Sequence, residues 1–105
     1  MPPVYRPWVA PYGAEDFEWD REKSLATFGD RDLVFEAARI VFRGPLLRCP
    51  DRRRNYGETR YMVLGELYGR VIMIVYTPRG PKCRIISLRP ATPLEREIYD
   101  EYRSG

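Results

Sequence analysis

Hydrophobic and polar positions fall into short, well-separated blocks along this chain. The densest is Val71-Ile72-Met73-Ile74-Val75-Tyr76, an unbroken apolar and aromatic run. Its length suits a strand covered on both faces and is too short to cross a membrane. Residues 58–65 and 83–89 read as strands on either side of it. The links at 66–69 and 78–81 are short enough for antiparallel hairpins. Nearer the N-terminus, Phe17-Glu18-Trp19-Asp20 predicts a short strand entering a helix capped by Asp20 and closed by Gly29. A second helix is expected from Asp32, since Val34, Ala38, Val41 and Phe42 repeat at i, i+4, i+7 and i+8,. Leu33, Ala37 and Ile40 widen that stripe, and Arg43-Gly44-Pro45 ends it. Residues 46–56 hold an arginine-rich loop, with room for a short strand at 46–48. Thr92-Pro93-Leu94-Glu95 has the residues of a capping box, and Leu94, Ile98 and Tyr102 give the last helix its packing stripe. The pattern predicts an α+β fold: an antiparallel β-meander sheet with two N-terminal helices and one C-terminal helix. Segment 71–76 should lie at the centre of the sheet, with the helices chiefly on one side.

Residues 1–16 stand apart, with Pro2, Pro3, Pro7 and Pro11 around Tyr5, Trp8 and Tyr12. They predict an extended arm, either mobile or laid on the surface. Such aromatics more often cover an apolar patch of their own domain than bind a partner. Residues 17–103 then form one domain, and a chain of 105 residues can hold a modest core without staples,. No long apolar segment or cationic leader is visible, which places the chain in the cytoplasm and away from membranes. Cys49 and Cys83 allow at most one disulfide and lack metal-ligand spacing, so buried thiols are expected, with neither a metal nor a cofactor.

Charge changes the picture more than composition does. The net charge is only +3, but residues 43–60 carry six arginines against Asp51 and Glu58. Residues 79–90 hold Arg79, Lys82, Arg84 and Arg89 with no acid. The basic groups gather where strands and their loops are expected, while the helical segments are acidic. That distribution fits a basic face for nucleic acid as well as it fits solvated loops.

The chain has no histidine, so any chemistry falls to carboxylate, guanidinium, ammonium or phenol groups. Cleavage of RNA by its own 2′-hydroxyl needs a proton acceptor and cations for the charged phosphorane. Glu58 is the candidate acceptor, with Arg60 two residues on and on the same strand face. The plainer reading is a surface ion pair worth under about 1 kcal/mol. Arg89 is the candidate phosphate clamp, because its fork grips two oxygens. Arg84 is also a candidate RNA contact, but four residues separate it from Arg89, which in a regular strand puts the two on opposite faces. Arg70, Arg79 and Lys23 are candidate phosphate contacts, and Trp19 a candidate base-stacking platform, though a tryptophan there is more often core. Tyr61, Tyr76 and Tyr99 read as core as well, with Tyr99 the nearest of them to the site.

These residues resemble the BrnT family, toxins of type II toxin–antitoxin pairs with a RelE-like ribonuclease fold. The resemblance runs from Phe17 to about Tyr99. It is carried by Phe17-Glu18-Trp19-Asp20 with Lys23, Phe35-Glu36-Ala37-Ala38 with Val41-Phe42, then Asp51, Gly57-Glu58, Arg60 and Gly65. It continues through Val75-Tyr76-Thr77, Arg79, Arg84-Ile85-Ile86-Ser87, Arg89, Ala91 and Glu95. It implies a ribonuclease that blocks translation, held in check by a BrnA-like ribbon-helix-helix antitoxin through which alone operator DNA is bound. Two departures are visible: Thr27-Phe28-Gly29 where the family usually has Lys-His-Gly, and Pro90 where it often has a basic residue. They favour the rival expectation of a catalytically silent relative that still binds antitoxin or nucleic acid. A DNA-binding regulator is a third class, but no basic recognition helix is apparent.

Overall fold

The structure is a computed structural model describing residues 3–31 and 33–105, with the backbone alone at 30 and 31. Six strands form one sheet: β1 (Arg6–Trp8), β2 (Phe17–Trp19), β3 (Leu46–Pro50), β4 (Tyr61–Leu67), β5 (Arg70–Arg79) and β6 (Lys82–Pro90). Their spatial order is β1-β3-β4-β5-β6-β2. Helix α1 (Arg21–Arg31) follows β2, α2 (Ala38–Val41) follows a 3-10 turn at Phe35–Ala37, and α3 (Pro93–Ser104) closes the chain.

The central meander arises as its residue pattern dictates. Every residue from Val71 to Thr77 is buried, and β5 lies between β4 and β6. The β4–β5 hairpin turns on Tyr68 and Gly69, both at positive φ (48° and 84°), the backbone of a tight two-residue hairpin,. Gly80 at φ 57° opens the β5–β6 turn, with Pro81 after it,. Thr92 caps α3 reciprocally with Glu95, and Pro93 occupies its first turn,.

Several expectations need correction. The strand expected over 58–65 begins only at Tyr61, so Glu58 and Arg60 lie in the loop before it and not on a strand face. The sheet is mixed, because β2 pairs in parallel with β6, Glu18 lying opposite Arg84. The helices occupy both faces. One face, with Val63, Ile72, Ile74, Tyr76, Ile85 and Leu88, lies under residues 33–42. The other, with Leu47, Met62, Leu64, Met73 and Val75, lies under α3 through Tyr99 and Ile98. A strand apolar on both sides cannot be covered from one side alone. The second helix is shorter than its stripe: a 3-10 turn and four helical residues. Its expected start at Asp32 lies outside the described residues. Helix α1 in turn runs past Gly29 to Arg31.

The proline-rich arm is part of the sheet. Residues 6–8 pair with 46–48 of β3 as an edge strand, where proline costs least. Trp8 stacks on Tyr76 (centroids 5.5 Å apart) and meets Phe42 edge-on, and Tyr12 packs edge-on against Phe17. Arg48 lies over the rings of Trp8 (4.6 Å) and Tyr61 (4.2 Å) and donates to the Tyr76 hydroxyl at 2.9 Å. One guanidinium therefore joins β1, β3, β4 and β5, with ring contacts that contribute about 0.5–1 kcal/mol each or more when desolvated. Cys49 and Cys83 are free, buried, and on opposite faces of the sheet.

Gly65 sets how closely α2 approaches the sheet. A Cβ there would collide with Cγ1 of Val41 and stand 2.8 Å from Cδ2 of Leu46. Gly65→Ala should destabilise the fold by about 1–3 kcal/mol, the usual cost of overpacking a core. In urea melts its midpoint should fall without a change of slope; an unchanged midpoint would mean the contact yields freely.

Candidate active site

The face under α3 is not covered along its whole length. Towards the end of β5 at Arg79 it opens into a groove of about 410 Å³. Lys23 and Thr27 of α1 form one wall, Arg53 and Arg60 another, and Val75, Ile86 and Ser87 the floor. Among the described residues, no carboxylate lines this groove.

A β-bulge in β6 builds the floor. Val75 pairs with Ser87 and Tyr76 with Ile85, so Ile86 is the extra residue. Ile86 and Ser87 both turn to the groove side, as the paired positions of a bulge do,. The bulge also corrects the expectation for the two arginines of β6. Arg84 lies opposite Thr77 and Arg89 opposite Met73; Thr77 and Met73 are an even number of residues apart, so both arginines share the groove face.

Loop 51–60 is locked from inside. Asp51 is buried and its carboxylate accepts from Nε and Nη2 of Arg53 (both 2.8 Å), from the Arg53 amide and from the Tyr56 hydroxyl. Hydrogen bonds from Arg53, ahead of the opposing cost of burial, hold this carboxyl below the usual carboxylate range,. With two of its nitrogens committed to Asp51, the Arg53 guanidinium is fixed at the groove wall. Arg60 stacks over Tyr56 at 4.2 Å and donates from Nε to Glu58 at 2.9 Å, with no hydrogen bond from its terminal nitrogens among the described residues. Arg79 approaches the other Glu58 oxygen at 3.7 Å.

The residues singled out from sequence separate as follows. Glu58, Arg60 and Arg79 form one ion cluster, and Lys23 faces Arg60 across the groove. Arg84 lies on the same face, paired with Glu18 at 3.8 Å. Arg89 shares the face but is engaged elsewhere: its two terminal nitrogens meet both oxygens of Glu95 at 2.7 and 3.0 Å. Arg70 is at the far end of β5, roughly 30 Å along the strand from Arg79 at about 3.3 Å per residue,. Trp19 packs against the opposite core under Arg39. Tyr99 is buried beneath α3 and donates to the Pro45 carbonyl at 2.8 Å. Sequence reasoning did not single out Arg53 or Ser87. Asp51 two residues before Arg53 was the available signal for the first; nothing in the local pattern marks the bulge at the second.

Residues 19–95 match the family model of the ribonuclease toxin BrnT of type II toxin–antitoxin systems. The chain belongs to that family. Membership carries with it a toxin role, RNA as substrate and an antitoxin as partner. No curated protein matches the chain significantly. None of its helices is long and apolar enough to cross a membrane, among the described residues. Nor do these residues gather three or more donor side chains suited to a metal ion.

Two carboxyls tie this site to pH. Burial works against the charged form of Glu95, but the Arg89 fork and the Thr92 amide outweigh it and lower its pKa, as Arg53 does for Asp51. A lowered pKa stabilises the fold above the unfolded-state value of about 4 and loses that contribution as pH falls through the folded-state value. The melting temperature should therefore drop below about pH 4. Glu95→Gln and Asp51→Asn should each melt lower than wild type at pH 7 and lose less on acidification. Equal acid losses in all three proteins would show that neither pair carries the effect.

Proposed function

We propose that the Lys23–Arg53–Arg60 groove binds the scissile phosphate of RNA and that Glu58 starts its cleavage. The observation that carries this reading is three cations from α1 and loop 51–60 converging on one groove that no acid lines among the described residues. A phosphate entering it meets the free terminal nitrogens of Arg60 and the fixed guanidinium of Arg53, which hold the equatorial oxygens. Glu58, tethered to Arg60 on the side away from Lys23, takes the proton of the 2′-hydroxyl. The O2′–P bond then forms as the P–O5′ bond breaks, and Lys23 supplies a proton to the departing 5′-oxygen. The products are a 2′,3′-cyclic phosphate and a 5′-hydroxyl. Ser87 on the floor is a further donor to the phosphate.

This reading moves the clamp first expected of Arg89 to Arg53 and Arg60, because Arg89 is engaged by Glu95. Arg84 and Arg79 extend the positive face beside it. The mixed sheet, with its meander and a helix on each face, fits a RelE-like ribonuclease acting on mRNA in the cytoplasm. A BrnA-like ribbon-helix-helix antitoxin would silence the toxin by covering the groove, and operator DNA would be reached only through that complex. The specific observation for a silent relative is the same engagement of Arg89, which removes one cation from the groove.

Purified protein should cleave single-stranded RNA, and Glu58→Gln should slow cleavage by about 10²–10⁴-fold while leaving RNA affinity largely intact. Arg60→Lys should also fail to restore activity, since the charge remains but the fork that holds both Glu58 and phosphate is gone. Wild-type cleavage by Glu58→Gln would eliminate the base. RNA binding without cleavage by the wild type would favour the silent relative. Expression in bacteria should arrest growth, and the antitoxin should relieve the arrest.

A further inference from the structure

Beyond Arg60 lies a second groove of about 510 Å³, bordered by Arg52, Arg54, Asn55, Tyr56 and Glu58. Arg60 lines both grooves, so they meet at its side chain. The rim of the second is a loop held by its own hydrogen bonds. Asp51 pins it through Arg53 and Tyr56, and Asn55 closes a turn by accepting from the Gly57 amide at 3.0 Å, with Gly57 at φ 72°. That scaffold leaves Arg52 and Arg54 exposed, and neither has a carboxylate partner among the described residues. The Arg54 guanidinium lies 6.0 Å from the centre of the Tyr56 ring. Ordering a loop costs entropy, and here the cost is met within the fold rather than on binding.

We infer that this second groove holds the RNA strand on the 5′ side of the cleaved bond, with Arg52 and Arg54 contacting its phosphates. The inference rests on the reading of the first groove. The nucleotide carrying the attacking 2′-hydroxyl must lie beside Glu58, and Glu58 lines the second groove. The departing 5′-oxygen, and the chain beyond it, must lie on the Lys23 side. The strand therefore runs from the Arg52–Arg54 rim, over Arg60, to α1. Substrate length matters asymmetrically: phosphates added 5′ of the cut gain contacts with the rim, and those added 3′ do not.

Oligonucleotides with one ribonucleotide in an otherwise deoxy chain fix the cut, and can be lengthened by single steps on either side. For wild type, kcat/KM should rise with 5′ extension. Arg52→Ala/Arg54→Ala should lose that gain, keep the response to 3′ extension, and melt at the wild-type temperature. In fluorescence anisotropy with a 2′-O-methyl RNA, the slope of log affinity against log salt should shrink by about 1.4 in the double variant, two phosphates at about 0.7 each. An unchanged salt slope, or equal loss on 5′ and 3′ extensions, overturns the proposal. If wild type cleaves nothing while the slope still shrinks, the phosphate contacts stand. The 5′ assignment then falls together with the role of Glu58.

Discussion

Burial of β5 on both faces is the constraint from which the rest of this architecture follows. Seven consecutive residues, Val71 to Thr77, are removed from water, and each face needs its own cover. Residues 33–42 and the aromatics of the N-terminal arm supply one; α3 and Tyr5 supply the other. With about 100 residues available the second cover is short, because α3 reaches Met73 and Leu64 through Tyr99 but leaves the Arg79 end of the sheet open. The site occupies that opening. It has an apolar floor because the strand beneath it is core, and cationic walls because the surrounding loops are where the sequence spends its arginines.

The bulge at Ile86 converts a regular hairpin into the floor of the groove. An unbroken register would put Arg84 and Arg89 on opposite faces and leave β6 one floor residue in the groove where it now has two. Inserting one residue into β6 turns Ile86 and Ser87 the same way and brings Arg84 round to join Arg89. The price is a locally disrupted ladder. The family match spans this feature and the whole cluster of Lys23, Asp51, Glu58 and Arg60, so the toxin identity and the groove fall on the same part of the chain.

Arginine does three different jobs here, and its partners decide which. Arg48, between two aromatic rings and a tyrosine hydroxyl, is a structural cross-link. Arg53 and Arg89 meet carboxylates through two nitrogens each, and those contacts fix loop 51–60 and the start of α3. Arg52 and Arg54 are exposed and have no acid to neutralise them among the described residues. Net charge, at +3, distinguishes none of these roles.

Local pattern was enough for the α+β class, the three-strand meander, the capping box of α3 and the central place of 71–76. Each depends on periodicity, turn residues or a cap read within a few positions. The ordered motifs from Phe17 to Tyr99 were likewise enough for the family. Tertiary structure alone decided the parallel pairing of β2 with β6, the docking of the arm as an edge strand, and the placement of helices on both faces. Those are contacts between segments distant in sequence, with no local signature. The same holds for the site: Glu58 beside Arg60 was legible because they are two residues apart, although they lie in the loop before β4 and not on a strand face. Arg53 and Ser87 were not, since one depends on a buried carboxylate and the other on a bulge that reverses the alternation of side chains.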